Sequence, residues 1–121
     1  MSILQAFTTQ LVQFLDELCT TFPEEREIRM VTEAIKGTKK VNPRLLLDMF
    51  NEHVYSGCAH AIYQKDVFAM REHAKKILSS QFNEMIYTLT IFDKHWDTMS
   101  ENNHKIIWQY LTVLCKLAEK A

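Results

Sequence analysis

Two aromatic-rich amphipathic segments, one near each end of the chain, constrain the fold more than any other feature of the sequence. The first runs through Leu4, Phe7, Leu11, Phe14, Leu15 and Leu18 and closes at Phe22-Pro23; the last runs through Ile107, Trp108, Tyr110, Leu111, Leu114, Cys115 and Leu117. Apolar residues recur in both at three- and four-residue steps, the helical period and not the alternation of a strand. Each stripe is too large to leave in water, since burying one large apolar side chain stabilises by ~1.5–3 kcal/mol. The first and last helices are therefore expected to pack on one another, with Phe14 and Trp108 among the least exposed residues.

Between them, local signals divide the chain into further helices. Ser2 with Gln5 forms a capping-box pattern for the first helix, expected to run to about Thr20. Pro23 suits the first turn of a second helix, whose stripe is Ile28, Val31, Ala34 and Ile35 and whose stop is Gly37. Asn42-Pro43 reads as N-cap and first residue of a third helix carrying Leu46, Met49, Phe50 and Val54, interrupted at Tyr55-Ser56-Gly57. Asp66 caps a fourth, which buries Val67, Met70, Ala74, Ile77 and Leu78. A fifth, capped by Ser79 or Ser80 and reaching about Thr98, carries two heptad rows, Phe82/Leu89/Trp96 and Met85/Phe92/Met99. Ser100 opens the last. The expected architecture is all-α, a single irregular bundle of five to six helices spanning 1–121 as one domain. With two glycines and two prolines in 121 residues, the turns of an all-β fold are missing.

Composition narrows function mainly by exclusion. A net charge of −1 gives no global field toward nucleic acid or anionic membrane. Two small basic clusters stand out locally: Lys36, Lys39, Lys40 and Arg44 form a candidate polyanion patch, joined by Lys75 and Lys76. No apolar run approaches a membrane span and no leader sequence opens the chain, so neither membrane insertion nor a signal peptide is expected. The cysteines Cys19, Cys58 and Cys115 are odd in number and unpaired in motif, which predicts free thiols in a reducing compartment, with Cys19 and Cys115 buried on the terminal helices.

Chemical constellations are sparse. His53, Cys58 and His60 supply at most half of a zinc site, because no second ligand pair follows at motif spacing. Asp93, Asp97 and Glu101, near Lys94 and His95, fall at four-residue steps but lie opposite Phe92 and Trp96, on a solvated face. Glycine-rich phosphate loops, nucleophile elbows and His-Glu-x-x-His helices do not occur. The chain is accordingly expected to be non-enzymatic, with no cofactor, no bound metal and no small-molecule substrate.

One surplus remains. The last helix carries Ile106, Ile107, Trp108, Tyr110, Leu111, Val113, Leu114 and Leu117, so that well over half its circumference is apolar. Such a helix is either central or covered by another chain. Ile106, Trp108, Tyr110 and Val113 are the candidate partner-binding residues, for a protein partner or self-association.

The segments FLDELCTTFPEE and IIWQYLTVLCKL resemble small helical proteins of nucleocytoplasmic large DNA viruses, in which a leading Phe-Leu-x-Glu-Leu helix ends in Phe-Pro and a trailing helix carries Ile-Trp-x-Tyr-Leu-x-x-Leu. The match covers both ends of the chain and transfers packing residues only. The resemblance implies a virus-encoded structural protein made in the host cytoplasm, a virion or capsid-associated component acting through helix-face contacts. The alternative is a nucleic-acid-associated helical protein using the two basic clusters.

Overall fold

The computed structural model describes residues 2–80 and 87–121, the side chains of 77–80 excepted. Every regular element among them is helical: α1 (Ile3–Thr21), α2 (Arg26–Val41), α3 (Pro43–Phe50), α4 (Ser56–Gln64), α5 (Val67–Ser80), the short α6 (Ile91–Lys94) and α7 (Glu101–Lys120). The all-α bundle is irregular, as the sequence predicts.

α1 occupies the middle, with α2 and α3 on one side and α7 on the other, and its most extensive packing is against α7. Phe7, Phe14, Leu15 and Leu18 from α1 and Ile107, Trp108, Leu111, Leu114 and Cys115 from α7 are all buried. The expected contact of the terminal helices is thus present. They run antiparallel: Leu18 and Thr21 lie beside Asn103 and Ile107, while Gln10 and Gln13 lie beside Gln109 and Val113. α4 leans on α7 and on α5, closing the other end of the core.

The helix starts follow their caps. Ser2 and Gln5 exchange hydrogen bonds at 3.0 and 3.1 Å in a complete capping box. Asn42, Asp66 and Ser100 each accept a backbone N–H from the residue three positions on, at 3.3, 3.1 and 3.1 Å. These side chains satisfy donors that the first helical turn leaves free.

Ala34, expected on the buried stripe of α2, is exposed, and four expectations about helix boundaries need correction. Pro23 does not enter the second helix; it lies in a turn closed by Glu25 N–H to the Phe22 carbonyl, and Glu25 is the N-cap. Gly37 does not stop α2, which continues to Val41 until Asn42-Pro43 ends it, because proline cannot extend the preceding helix. Tyr55-Ser56-Gly57 does not break the third helix either. A π-turn over Asn51–Tyr55 carries α3 into α4, with the Ser56 N–H reaching the Asn51 carbonyl. His73 of α5 packs there, its Nε2–H donating to the His53 carbonyl at 3.0 Å. A Cβ on Gly57 would come within 2.3 Å of the His73 ring, so this glycine is required by the close approach of α5.

The last correction concerns the fifth helix. Its expected caps, Ser79 and Ser80, are the last residues of α5; its members Phe82 and Met85 fall outside the described residues, as do the side chains of 77–80. The remainder is not one helix: a 3₁₀ turn at Thr88–Thr90, α6, and a second 3₁₀ turn at Trp96–Thr98 succeed one another. Leu89, Phe92 and Trp96 are nevertheless buried, as the heptad rows predict, and Met99 is half-buried against the core. The β-branched Thr88, Thr90 and Ile91 weaken a continuous helix here, and tertiary contacts settle the path.

Candidate partner-binding surface

The outward side of the α1–α7 pair is a shallow groove of about 460 Å³, lined by Gln10, Gln13 and Glu17 of α1 and by Ile106, Gln109, Tyr110 and Val113 of α7. It arises from register. Turning α7 so that Ile107, Trp108, Leu111, Leu114 and Cys115 face the core leaves Ile106, Tyr110 and Val113 along the flank, at four- and three-residue steps. Val113 is 42% exposed, while Ile106 and Tyr110 are half-buried. The Tyr110 ring lies 5.3 Å from that of Phe14, which anchors it to α1. Burial and the neighbouring Glu17 carboxylate hold its phenol above the usual tyrosine range. No charged residue precedes Asp16 in α1, and the groove holds one charge, Glu17.

Three of the four sequence candidates therefore meet on one surface, and the fourth does not. Trp108 is 6% exposed and packs among Phe92 and Trp96, at ring separations of 5.3 and 5.2 Å. It is a core residue. Its bulk and its position against the Trp96 indole and the Phe92 phenyl explain the inward turn. Gln10, Gln13 and Gln109 add no apolar surplus; for the two in α1 the readable signal is the absence of charge before Asp16.

The basic clusters are partly neutralised. Lys36 pairs with Asp16 at 3.0 Å, Arg44 lies 3.8 Å from Asp48, and Lys75 lies 3.6 Å from Asp93. Lys39 and Lys40 sit in the last turn of α2, where cations complement the helix dipole.

The acidic residues Asp93, Asp97 and Glu101 are all exposed, as their spacing predicts. Asp93 and Asp97 turn toward α5, the latter accepting from Arg71 at 2.7 Å while Arg71 Nε donates to the Phe92 carbonyl at 2.5 Å. His95 turns the other way, stacking on Phe22 at 4.3 Å and meeting Glu25 at 2.7 Å. Glu25 is thereby diverted from capping α2, which has no side-chain cap. Trp96 and His104 stack at 3.9 Å with planes 7° apart, and the imidazole Nε2–H donates to the Trp96 carbonyl. These contacts knit residues 92–104 to α2 and α5.

His53, Cys58 and His60 also separate: Cys58 is buried, His60 is exposed, and His53 is tied into the π-turn. Among the described residues no group of three His, Cys, Asp or Glu side chains is placed to hold a metal ion. Cys115 is buried as expected, with Cys58 near it, and burial pushes both thiols up to about 12. Cys19 is only half-buried, its Sγ 3.3 Å from the Thr32 hydroxyl. On the far flank of α7, Glu119 accepts from Tyr55 and Tyr63 at 2.8 and 2.5 Å, and these hydrogen bonds hold its carboxyl below the usual range.

No helix among the described residues is long and apolar enough to cross a membrane. Compared with family models, curated proteins and solved structures, the chain matches none.

Proposed function

We propose that this protein is a non-enzymatic structural or interaction component that binds protein through the α1–α7 face. The observation that carries this reading is the groove itself. Ile106, Tyr110 and Val113 line it beside Gln10, Gln13 and Gln109, so the apolar surplus of α7 is not fully absorbed by the bundle. Aromatic and aliphatic side chains in a charge-poor surface are the composition of an interface centre. The ion-paired state of Lys36, Arg44 and Lys75 weighs against the nucleic-acid alternative. The resemblance of the terminal segments to helical proteins of large DNA viruses supports a place in a virion or capsid-associated assembly, made in the host cytoplasm.

A photo-reactive residue placed at position 113 in expressing cells tests the reading, with position 41 as control, since Val41 is 87% exposed and remote from the groove. Protein adducts from 113 and few from 41 are expected. Equal yields from both positions, or none from 113, would overturn it.

A further inference from the structure

Resting on that reading, we propose that the occupant of the α1–α7 groove is a second copy of this chain, related to the first by a two-fold axis passing near Gln13 and Tyr110. The charge pattern selects this occupant. A two-fold interface sets like groups against like, so any surface rich in one charge repels itself. Here a single carboxylate lies in the groove, in a chain whose residues are 24% charged. A basic or acidic partner finds little to pair with.

The uncharged groups are self-complementary. Glutamine amides and the tyrosine hydroxyl both donate and accept, so each can bond its own copy across an axis. Gln10, Gln13, Gln109 and the Tyr110 hydroxyl have no hydrogen-bond partner among the described residues, which leaves them available. Geometry treats the one charge in the same way. Gln10 and Glu17 lie on either side of Gln13, about 4.5 and 6 Å away along the helix axis at 1.5 Å per residue. A two-fold through Gln13 therefore lays Glu17 of one copy on Gln10 of the other, where the carboxylate accepts from the amide. Val113 and Ile106, at opposite ends of the α7 flank, exchange places in the same way and close an apolar strip. The product is a four-helix layer of two α1–α7 pairs.

Sedimentation equilibrium of the purified full chain across a concentration series tests this. The parent should rise from the monomer mass of 14.3 kDa toward twice that value. Val113→Asp, Gln13→Glu and Gln13→Lys should each remain monomeric, with circular dichroism melts within a few degrees of the parent. Mixing Gln13→Glu with Gln13→Lys should restore the dimer, which identifies position 13 as self-facing. Met30→Asp, on the exposed outer side of α2, should dimerise like the parent. A parent that stays monomeric at all concentrations, dimers that survive Val113→Asp, or a mixture that stays monomeric would overturn the proposal. The in-cell adducts separate the two levels: a position-113 adduct to a different protein retains partner binding and refutes self-pairing, while no adduct refutes both.

Discussion

The α1–α7 pair and the segment from Tyr87 to Met99 contribute to one core by opposite routes. α1 and α7 are long, capped at their N-termini by Ser2 and Ser100, and periodic over their whole length. Their boundaries follow from local chemistry, and packing only chooses which face turns inward. The 87–99 segment changes helical type three times within a dozen positions. It is held by side chains from elsewhere: Arg71 on the Phe92 carbonyl and Asp97, Glu25 on His95, and the rings of Trp108 and His104 against Phe92 and Trp96. The regular pair leaves a flank unfilled while the irregular segment is heavily tied down. Regularity and burial are thus separable: Val113 stays exposed on the most regular part of the molecule, while Leu89, Phe92 and Trp96 are buried in the least regular.

The sharpest way to break that comparison is to empty the irregular segment. Phe92 is fully buried between Trp96 and Trp108, so Phe92→Ala and Trp96→Ala should each destabilise by ~3–5 kcal/mol, with Leu89→Ala at ~2–5 kcal/mol. Denaturant midpoints check this; unchanged midpoints would mean that the segment is peripheral.

The two glycines give a contrast of sign. Gly57→Ala drives a methyl into the His73 ring and should cost ~1–3 kcal/mol, whereas Gly37→Ala meets nothing within 4 Å and should stabilise by ~0.5–1 kcal/mol through helix propensity. Thermal melts of both variants read this directly. Between them in magnitude, Arg71→Ala removes a half-buried guanidinium from Asp97 and the Phe92 carbonyl and should cost about 1–2 kcal/mol. Its loss should speed hydrogen exchange in 88–98 more than in α1.

Legibility followed the same division. Caps and stripes made Ser2, Asn42, Asp66, Ser100 and the buried faces of α1 and α7 readable, because each rests on residues within one or two turns. Gly37 misled because a lone glycine only weakens a helix, while the actual stop at Asn42-Pro43 is obligatory. The π-turn after Phe50 was unreadable, since its cause is the approach of His73, twenty residues away from the carbonyl it bonds. The kinks after Thr90 have the same origin in Arg71 and Glu25. At the surface, Ile106, Tyr110 and Val113 share one flank of α7, while Trp108, expected both in the core and as a binding residue, is in the core. A side chain's orientation depends on which face the neighbours can fill, and the Phe92 and Trp96 rings took Trp108 inward.

Pairing through the α1–α7 face is tested most directly by NMR of the intact protein from dilute to concentrated solution. The account predicts concentration-dependent shifts in the side-chain amides of Gln10, Gln13 and Gln109, the methyls of Ile106 and Val113 and the ring of Tyr110, with the exposed Met30 and Phe68 unmoved. Shifts confined to Met30 or Phe68, or no shift anywhere as the concentration rises, would contradict it.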